Sequence, residues 1–212
     1  ADGRSVEVQD FTASSDRVGI RMNAFADLSF DDQDAFTGLA LDAELDRLSL
    51  SFPETFAKDL SFDAAGVTAR WDRATNVIEI ASADLRASGT TYVLSGRLSA
   101  GGEDWLGDLR LAASDTTIAE VLRIWPLAAA QNARDWVDEN IQRAVIPELL
   151  VNLRFGAGEP VVALDFSFSE LDATYIAGMA PLRSMSGHAN LGFNGLELRI
   201  DDGYVQPGGR DR

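Results

Sequence analysis

Leu39-Ala40-Leu41-Asp42-Ala43-Glu44-Leu45-Asp46 decides the fold class, because Leu39, Leu41, Ala43 and Leu45 alternate with Ala40, Asp42, Glu44 and Asp46. In a strand this period of two sends the apolar side chains to one face and the carboxylates to the other. The same alternation runs through Val18/Ile20/Met22, Val67/Ala69/Trp71, Tyr92/Leu94/Leu98 and Leu109/Leu111. Turn-forming runs separate these segments at Ser14-Ser15-Asp16, Asp31-Asp32-Gln33-Asp34, Asp72-Arg73-Ala74-Thr75-Asn76 and Gly101-Gly102. The spacing predicts a meander of half-wet antiparallel hairpins.

From Ser114 the period changes. Ser114 or Asp115 is placed to cap a helix with Ile118, Val121, Leu122 and Trp125 on one stripe, stopped by Pro126. A second, amphipathic helix is expected from about Ala128 to Ala144, with Ala133, Trp136, Val137, Asn140 and Ile141 on its stripe and Pro147 as its stop. Strands then resume at Leu149/Val151/Leu153/Phe155, Val162/Leu164/Phe166/Phe168 and Leu196/Leu198/Ile200, the last ending at Asp201-Asp202-Gly203.

A weak internal repeat accompanies the pattern. Leu41 to Leu48 aligns with Leu164 to Leu171, Val67 to Trp71 with Ala189 to Phe193, and Ile78/Ile80 with Leu196/Leu198. The expected fold is mainly β: a long bent antiparallel sheet forming an open groove, with two inserted helices near 115–144. The expected organisation is one domain over 1–212, with sheet halves 1–112 and 148–206 joined by a helical segment at 114–146.

Composition narrows the function. Against 34 Asp plus Glu the chain has 18 Lys plus Arg, a net charge of −16, and its basic residues are scattered singly, which excludes a nucleic-acid binder. With 46% hydrophobic and 25% charged residues it has the balance of a folded domain. It contains no Cys, so disulfides, thiolate metal sites and a cysteine nucleophile are ruled out. No run approaches the roughly 20 apolar residues of a membrane-spanning helix. Ala1-Asp2-Gly3 and Pro207-Gly208-Gly209-Arg210 carry no element-like pattern, and the chain is expected to be a soluble piece of something longer.

Catalytic chemistry has little to stand on. His188 is the single histidine, so a two-histidine zinc site is impossible, and its expected place is a strand edge or surface. Asp31, Asp32 and Asp34 lack the glycine and distant glutamate of an EF-hand and read as a hairpin turn. No carboxylate pair stands out for glycoside hydrolysis, neither glycine pair has a phosphate-loop frame, and no enzyme, metal or cofactor is expected. Trp71, Trp105, Trp125 and Trp136, with Phe166, Phe168 and Phe193, occupy positions that alternation or stripe turns inward. Such a set either packs a closed core or, on an open sheet, lines a groove that takes a ligand.

Trp125-Pro126, then Ala133-Arg134-Asp135-Trp136-Val137 and Asn140-Ile141, followed by the strand from Leu149, resembles the helical signature of AsmA-like envelope proteins of the YhdP and TamB type. Phe168 to Ile176, Ala180-Pro181-Leu182 and Gly187 to Leu191 resemble the strand, loop and strand that follow it in that family. The likeness covers about Leu94 to Val205; where the family often has a glycine after the helix, this chain has Arg143-Ala144. The resemblance implies a periplasmic segment of a large Gram-negative envelope protein tethered to the inner membrane by a part absent here. It implies a bridge-like carrier of phospholipid between inner and outer membranes, acting in outer-membrane lipid homeostasis through a hydrophobic β-groove. Leu41, Leu45, Leu94, Leu164, Phe166 and Phe168 are then candidates for the apolar lining. Trp125, Pro126, Arg134 and Trp136 would form a structural helical element capping one side of the sheet, with Arg134 also able to pair with Asp138. The rival from another class is an assembly scaffold of the envelope with a closed β core and no lipid; a hydrolase ranks third.

Overall fold

The computed structural model describes residues 4–101, 104–127, 131–156, 158–174, 179–192 and 195–206. Twelve strands and two helices follow one another: β1 (Arg4–Ser14), β2 (Val18–Phe30), β3 (Phe36–Leu50), β4 (Leu60–Phe62), β5 (Ala64–Asp72), β6 (Val77–Ala87), β7 (Thr90–Gly101), β8 (Asp104–Thr117), α1 (Ile118–Ile124), α2 (Gln131–Asn140), β9 (Ile141–Gly156), β10 (Gly158–Ala173), β11 (Leu182–Gly192) and β12 (Gly195–Val205). The protein is mainly β, as the alternation predicts, with 72% of residues in the strands of one open antiparallel sheet, and with two helices. The hydrogen-bonded order is β1-β2-β3-β5-β6-β7-β8-β9-β10-β11-β12, with β4 attached to β3. Most consecutive strands are neighbours joined by short turns, while β8 leads to β9 through the two helices.

The turns are where the sequence places them. Between β2 and β3 the Asp31 carboxylate accepts the backbone N–H groups of Gln33 and Ala35, both at 2.9 Å, while Asp34 takes φ 59°. After β5 the Asp72 carboxylate accepts both the N–H and the hydroxyl of Thr75 at 2.8 Å, and Asn76 supplies the left-handed residue. Ser88 and Gly89, both at positive φ, form the two-residue link between β6 and β7 that matches the twist of paired strands. Gly101 ends β7, and Gly102 lies outside the described residues.

The helices differ from expectation. β8 runs through Ser114 and Asp115 to Thr117, and it is Thr117 that caps α1, its hydroxyl accepting the Glu120 N–H at 3.3 Å. Two consecutive threonines favour extended backbone until a hydroxyl reaches an orphan amide. α2 ends at Asn140, four residues before the expected Ala144, and its expected start at Ala128 lies outside the described residues. Ala144, Ile146 and Leu149 are buried within β9, so Pro147 interrupts a strand instead of stopping a helix. The burial rhythm skips a residue there, as it should where a proline has no N–H to give the ladder. Arg143-Ala144 accordingly belong to β9, where the Arg143 guanidinium meets Glu170 at 3.3 Å.

The chain forms two compact units whose limits differ from the expected halves 1–112 and 148–206. The first comprises residues 1–51, 61–112 and 151–162, and the second 52–60, 113–150 and 163–212. The first has a core of Ala43, Leu45 and Ala65, bordered by Ile20, Met22, Ala24, Leu41, Leu48, Val67 and Leu85. The second has a core of Phe168, Met185 and Ala189, bordered by Phe166, Leu171 and Leu182.

The repeat is visible in the register. In the first unit Leu41, Ala43 and Leu45 pair with Ala69, Val67 and Ala65. In the second, Leu164 and Phe166 pair with Leu191 and Ala189, the residues that the alignment makes equivalent, and Phe168 pairs with Gly187. The third strand departs from it: Ala69 pairs with Ile80, but Leu191 pairs with Leu196, so Leu196 and not Leu198 stands in the place of Ile80. The tighter β11–β12 hairpin slides that strand by two residues, a step that keeps the apolar face in phase. Phe193 lies outside the described residues.

Candidate functional site

In the first unit the apolar face can be followed strand by strand. Val8, Ala24, Ala43, Val67, Ala83 and Leu94 are successive cross-strand partners from β1 to β7. A second row runs Phe11, Met22, Leu45, Ala65, Leu85 and Tyr92, and a third Val6, Ala26, Leu41, Ala69 and Ile80. Directly paired residues share a face, so these rows form one continuous apolar surface. Its middle is buried, with Leu45 at 7% and Tyr92 at 2% exposure, while at its margin Val6 and Phe11 are 46% and 42% exposed.

Leu41 and Leu94 are half-buried members of the same surface. All three lining candidates of this unit therefore share a face: the bulges at Asp46 and between Ile80 and Ala83 shift the register, and the apolar side chains beyond each of them return to that face. The sequence reading missed Tyr92 and Phe62 as anchors, although Tyr92 sits in the alternation with Leu94 and Leu98. Phe62 lies edge-on to Tyr92 with ring centroids 6.3 Å apart, and its signal was weak because β4 is three residues long.

The second unit repeats the arrangement. Leu164, Phe166 and Phe168 lie on one face of β10, with Ala189 and then Leu198 continuing the Phe166 row and Gly187 and Ile200 the Phe168 row. Phe168 is buried, Phe166 and Leu164 are half-buried, and the rings of Phe166 and Phe168 are 6.3 Å apart. At the margin Leu198 and Ile200 are 56% and 48% exposed.

The signature residues divide. Trp125 is the half-buried C-cap of α1 and Pro126 is exposed beside it. The Arg134 side chain is only 12% exposed; it meets Asp135 at 3.8 Å, and among the described residues it does not pair with Asp138 and its Nε has no hydrogen-bond partner. Trp136 and Trp105, both expected to face inward, are 46% and 50% exposed. In a ten-residue helix the stripe leaves room for few inward positions, and the burial of Arg134 turns Trp136, two residues on, to another side. Trp71 is half-buried, packed on Phe36 with its indole N–H donated to Asn76 at 3.2 Å.

The opposite face carries the charge. In the first unit Glu7, Asp42, Glu44 and Asp84 are exposed there, and Thr68 donates to Asp42 at 2.7 Å. A recess of about 430 Å³ near Leu106, Phe155 and Val161 has Arg97 and Arg154 among its lining, but those cations already pair with Glu79 and Asp108. In the second unit His188 meets Asp165 at 3.2 Å and Asn190 donates to the same carboxylate at 2.9 Å. The Asn190 hydrogen bond, with His188 beside it, holds the Asp165 carboxyl below its ordinary value. Among the described residues no three His, Cys, Asp or Glu side chains converge as metal ligands, and no helix is long and apolar enough to cross a membrane. No protein-family model, curated protein or solved structure matches the chain.

Proposed function

We propose that the chain is a lipid-handling segment of a bridge-like envelope protein, in which the apolar sheet face is the bed for phospholipid acyl chains. The observation that carries this reading is the unbroken apolar surface from β1 to β7, still half open to water at Val6 and Phe11. Keeping acyl chains in water costs about 0.8 kcal/mol per methylene, so a carrier needs an extended apolar surface and no reactive group. The acidic opposite face keeps such a body soluble and repels anionic bilayer surfaces. In this reading Leu41, Leu45 and Leu94 in one unit, and Leu164, Phe166 and Phe168 in the other, contribute to the bed. The resemblance to AsmA-like proteins supports the wider setting: a periplasmic place, a tether to the inner membrane, and traffic between the two membranes.

Native mass spectrometry of the purified protein, combined with organic extraction, tests the proposal. Phospholipid bound at a defined stoichiometry is the expected result. A lipid-free protein that also refuses loading from phospholipid vesicles refutes it and leaves the scaffold reading. That second reading draws on one observation, the near-complete burial of Leu45 and Phe168, which is the behaviour of a closed core.

A further inference from the structure

We infer that the recess bounded by Arg97, Arg154, Leu106 and Val161 in the first unit is a seat for the phosphodiester of a phospholipid headgroup. This deepens the lipid reading and rests on it. The chain carries a net charge of −16, and the polar face follows suit over β1 to β6, where Glu7, Asp42, Glu44 and Asp84 are exposed. Farther along the same face the sign changes. Glu79 is directly opposed to Arg70 on β5 and to Arg97 on β7. On β8 Asp108 meets Arg154 of β9 at 3.1 Å, and alternation puts Arg110 on the same side of its strand as Asp108. Four exposed guanidiniums are arrayed here with two carboxylates, and among the described residues Arg70 and Arg110 make no ion pair.

The ion pairs already made do not use up the two arginines of the recess. Arg97 engages Glu79 through Nη2, which leaves its Nε and Nη1. Arg154 engages Asp108 through Nε and Nη2, which leaves its Nη1. Both pairs are exposed, with side-chain exposures of 63% and 51% in the first and 76% and 66% in the second, and pairs so exposed to water contribute little to stability. They rearrange readily for an anion that accepts from both guanidinium forks, and the geometry of a phosphate group matches such a fork.

The rest of the lining selects a lipid over a free anion. The recess has a volume of about 430 Å³, enough for a headgroup, and Asp108 is the one carboxylate among its described lining residues. Leu106, set against Gly156, and Val161 are 39% and 51% exposed at its wall. Inorganic phosphate leaves both of these side chains in water. A phospholipid covers them with its glycerol and first methylenes, which adds apolar burial to the two charged contacts.

NMR titration of the full chain with dihexanoyl phosphatidylglycerol, kept below its micelle concentration, tests the inference. The expected result is a saturable shift of the amides of residues 106–108 and 154–156 that weakens as salt is added. Arg97→Gln combined with Arg154→Gln should weaken binding about tenfold. Arg47→Gln combined with Arg86→Gln removes the same charge from exposed positions at the opposite ends of their strands and should leave binding unchanged. Circular dichroism verifies that both double variants are folded. Inorganic phosphate should bind at least tenfold more weakly than the lipid. No shift at these amides, a shift that survives the loss of Arg97 and Arg154, an equal loss in the Arg47 and Arg86 variant, or equal binding of inorganic phosphate would each overturn the inference. The short-chain probe also separates this seat from the apolar bed: long-chain lipid found by mass spectrometry without these shifts removes the seat and leaves the bed standing, and these shifts without long-chain lipid do the reverse.

Discussion

Substituting Asp at Phe166 and, separately, at Phe168 separates an apolar bed from a core. The two rings are neighbours on the same face of β10, but Phe168 is 5% exposed and Phe166 is half-buried. Complete burial of a Phe side chain contributes about 1.5–3 kcal/mol, so Phe166 contributes about half of that, plus about 0.5–1 kcal/mol from its contact with the Phe168 ring. Phe166→Asp, whose new carboxylate can reach water, should cost about 2 kcal/mol and leave a folded protein. Phe168→Asp loses about 3–5 kcal/mol of packing and adds a carboxylate among Met185 and Ala189, so its cost is comparable with the whole stability of an ordinary domain. Urea unfolding measures the first difference, and phospholipid loading from vesicles measures the second. Phe166→Asp should unfold cooperatively with an unchanged denaturant slope and bind markedly less lipid. If it unfolds as completely as Phe168→Asp, Phe166 is core and the bed does not extend to it. If it folds and binds as much lipid as the unaltered chain, the lipid reading fails at this position.

Three further outcomes follow from named contacts. Leu45→Ala should cost about 2–5 kcal/mol in urea unfolding, while Leu198→Ala, which starts 56% exposed, should cost less than about 1 kcal/mol; equal costs would mean that the face is covered evenly. Gly187→Ala should destabilise the β11–β12 pair, because the added methyl group collides with the Arg199 carbonyl oxygen and presses on the Phe168 ring, and hydrogen exchange of the β12 amides should rise accordingly. Asp72 is held below its ordinary value by the Thr75 backbone N–H and then by the Thr75 hydroxyl. Its stabilising contribution is therefore complete above the unfolded value near 3.9 and disappears as the pH falls through the lower folded value. Thr75→Ala should move the Asp72 titration upward when followed by carboxylate NMR, and an unmoved titration would exclude the hydroxyl as a cause.

Much of the fold was legible because period-two alternation is a local signal. Leu39 to Asp46 had to be a strand with one wet face, and Asp31 and Asp72 had to be turns, since their carboxylates find backbone N–H groups two to four residues away. The helix ends were less legible, because the stop of α2 depends on Ala144 and Ile146 being drawn into buried sites on β9. The same limit applies to the aromatic residues: alternation at Trp105 and the stripe at Trp136 say which way a ring points, but not whether anything lies there to cover it. The repeat was legible in two strands and wrong by two residues in the third, where the length of the β11–β12 hairpin set the register.

By itself the sequence determined the class of structure and the two-faced character of its strands, since both follow from which side chain comes next along the chain. It also put Leu41 and Leu45 on a common face, because both lie in one alternating run, whereas Leu94 joins them only through the register of β3, β5, β6 and β7. Only the tertiary structure decided how much of that face is core and how much is surface. Leu45 and Phe168 are sealed while Val6, Phe11, Leu198 and Ile200 stand half in water, though all obey the same alternation. Burial depends on the residues that arrive from distant parts of the chain, which alternation along a single strand does not record.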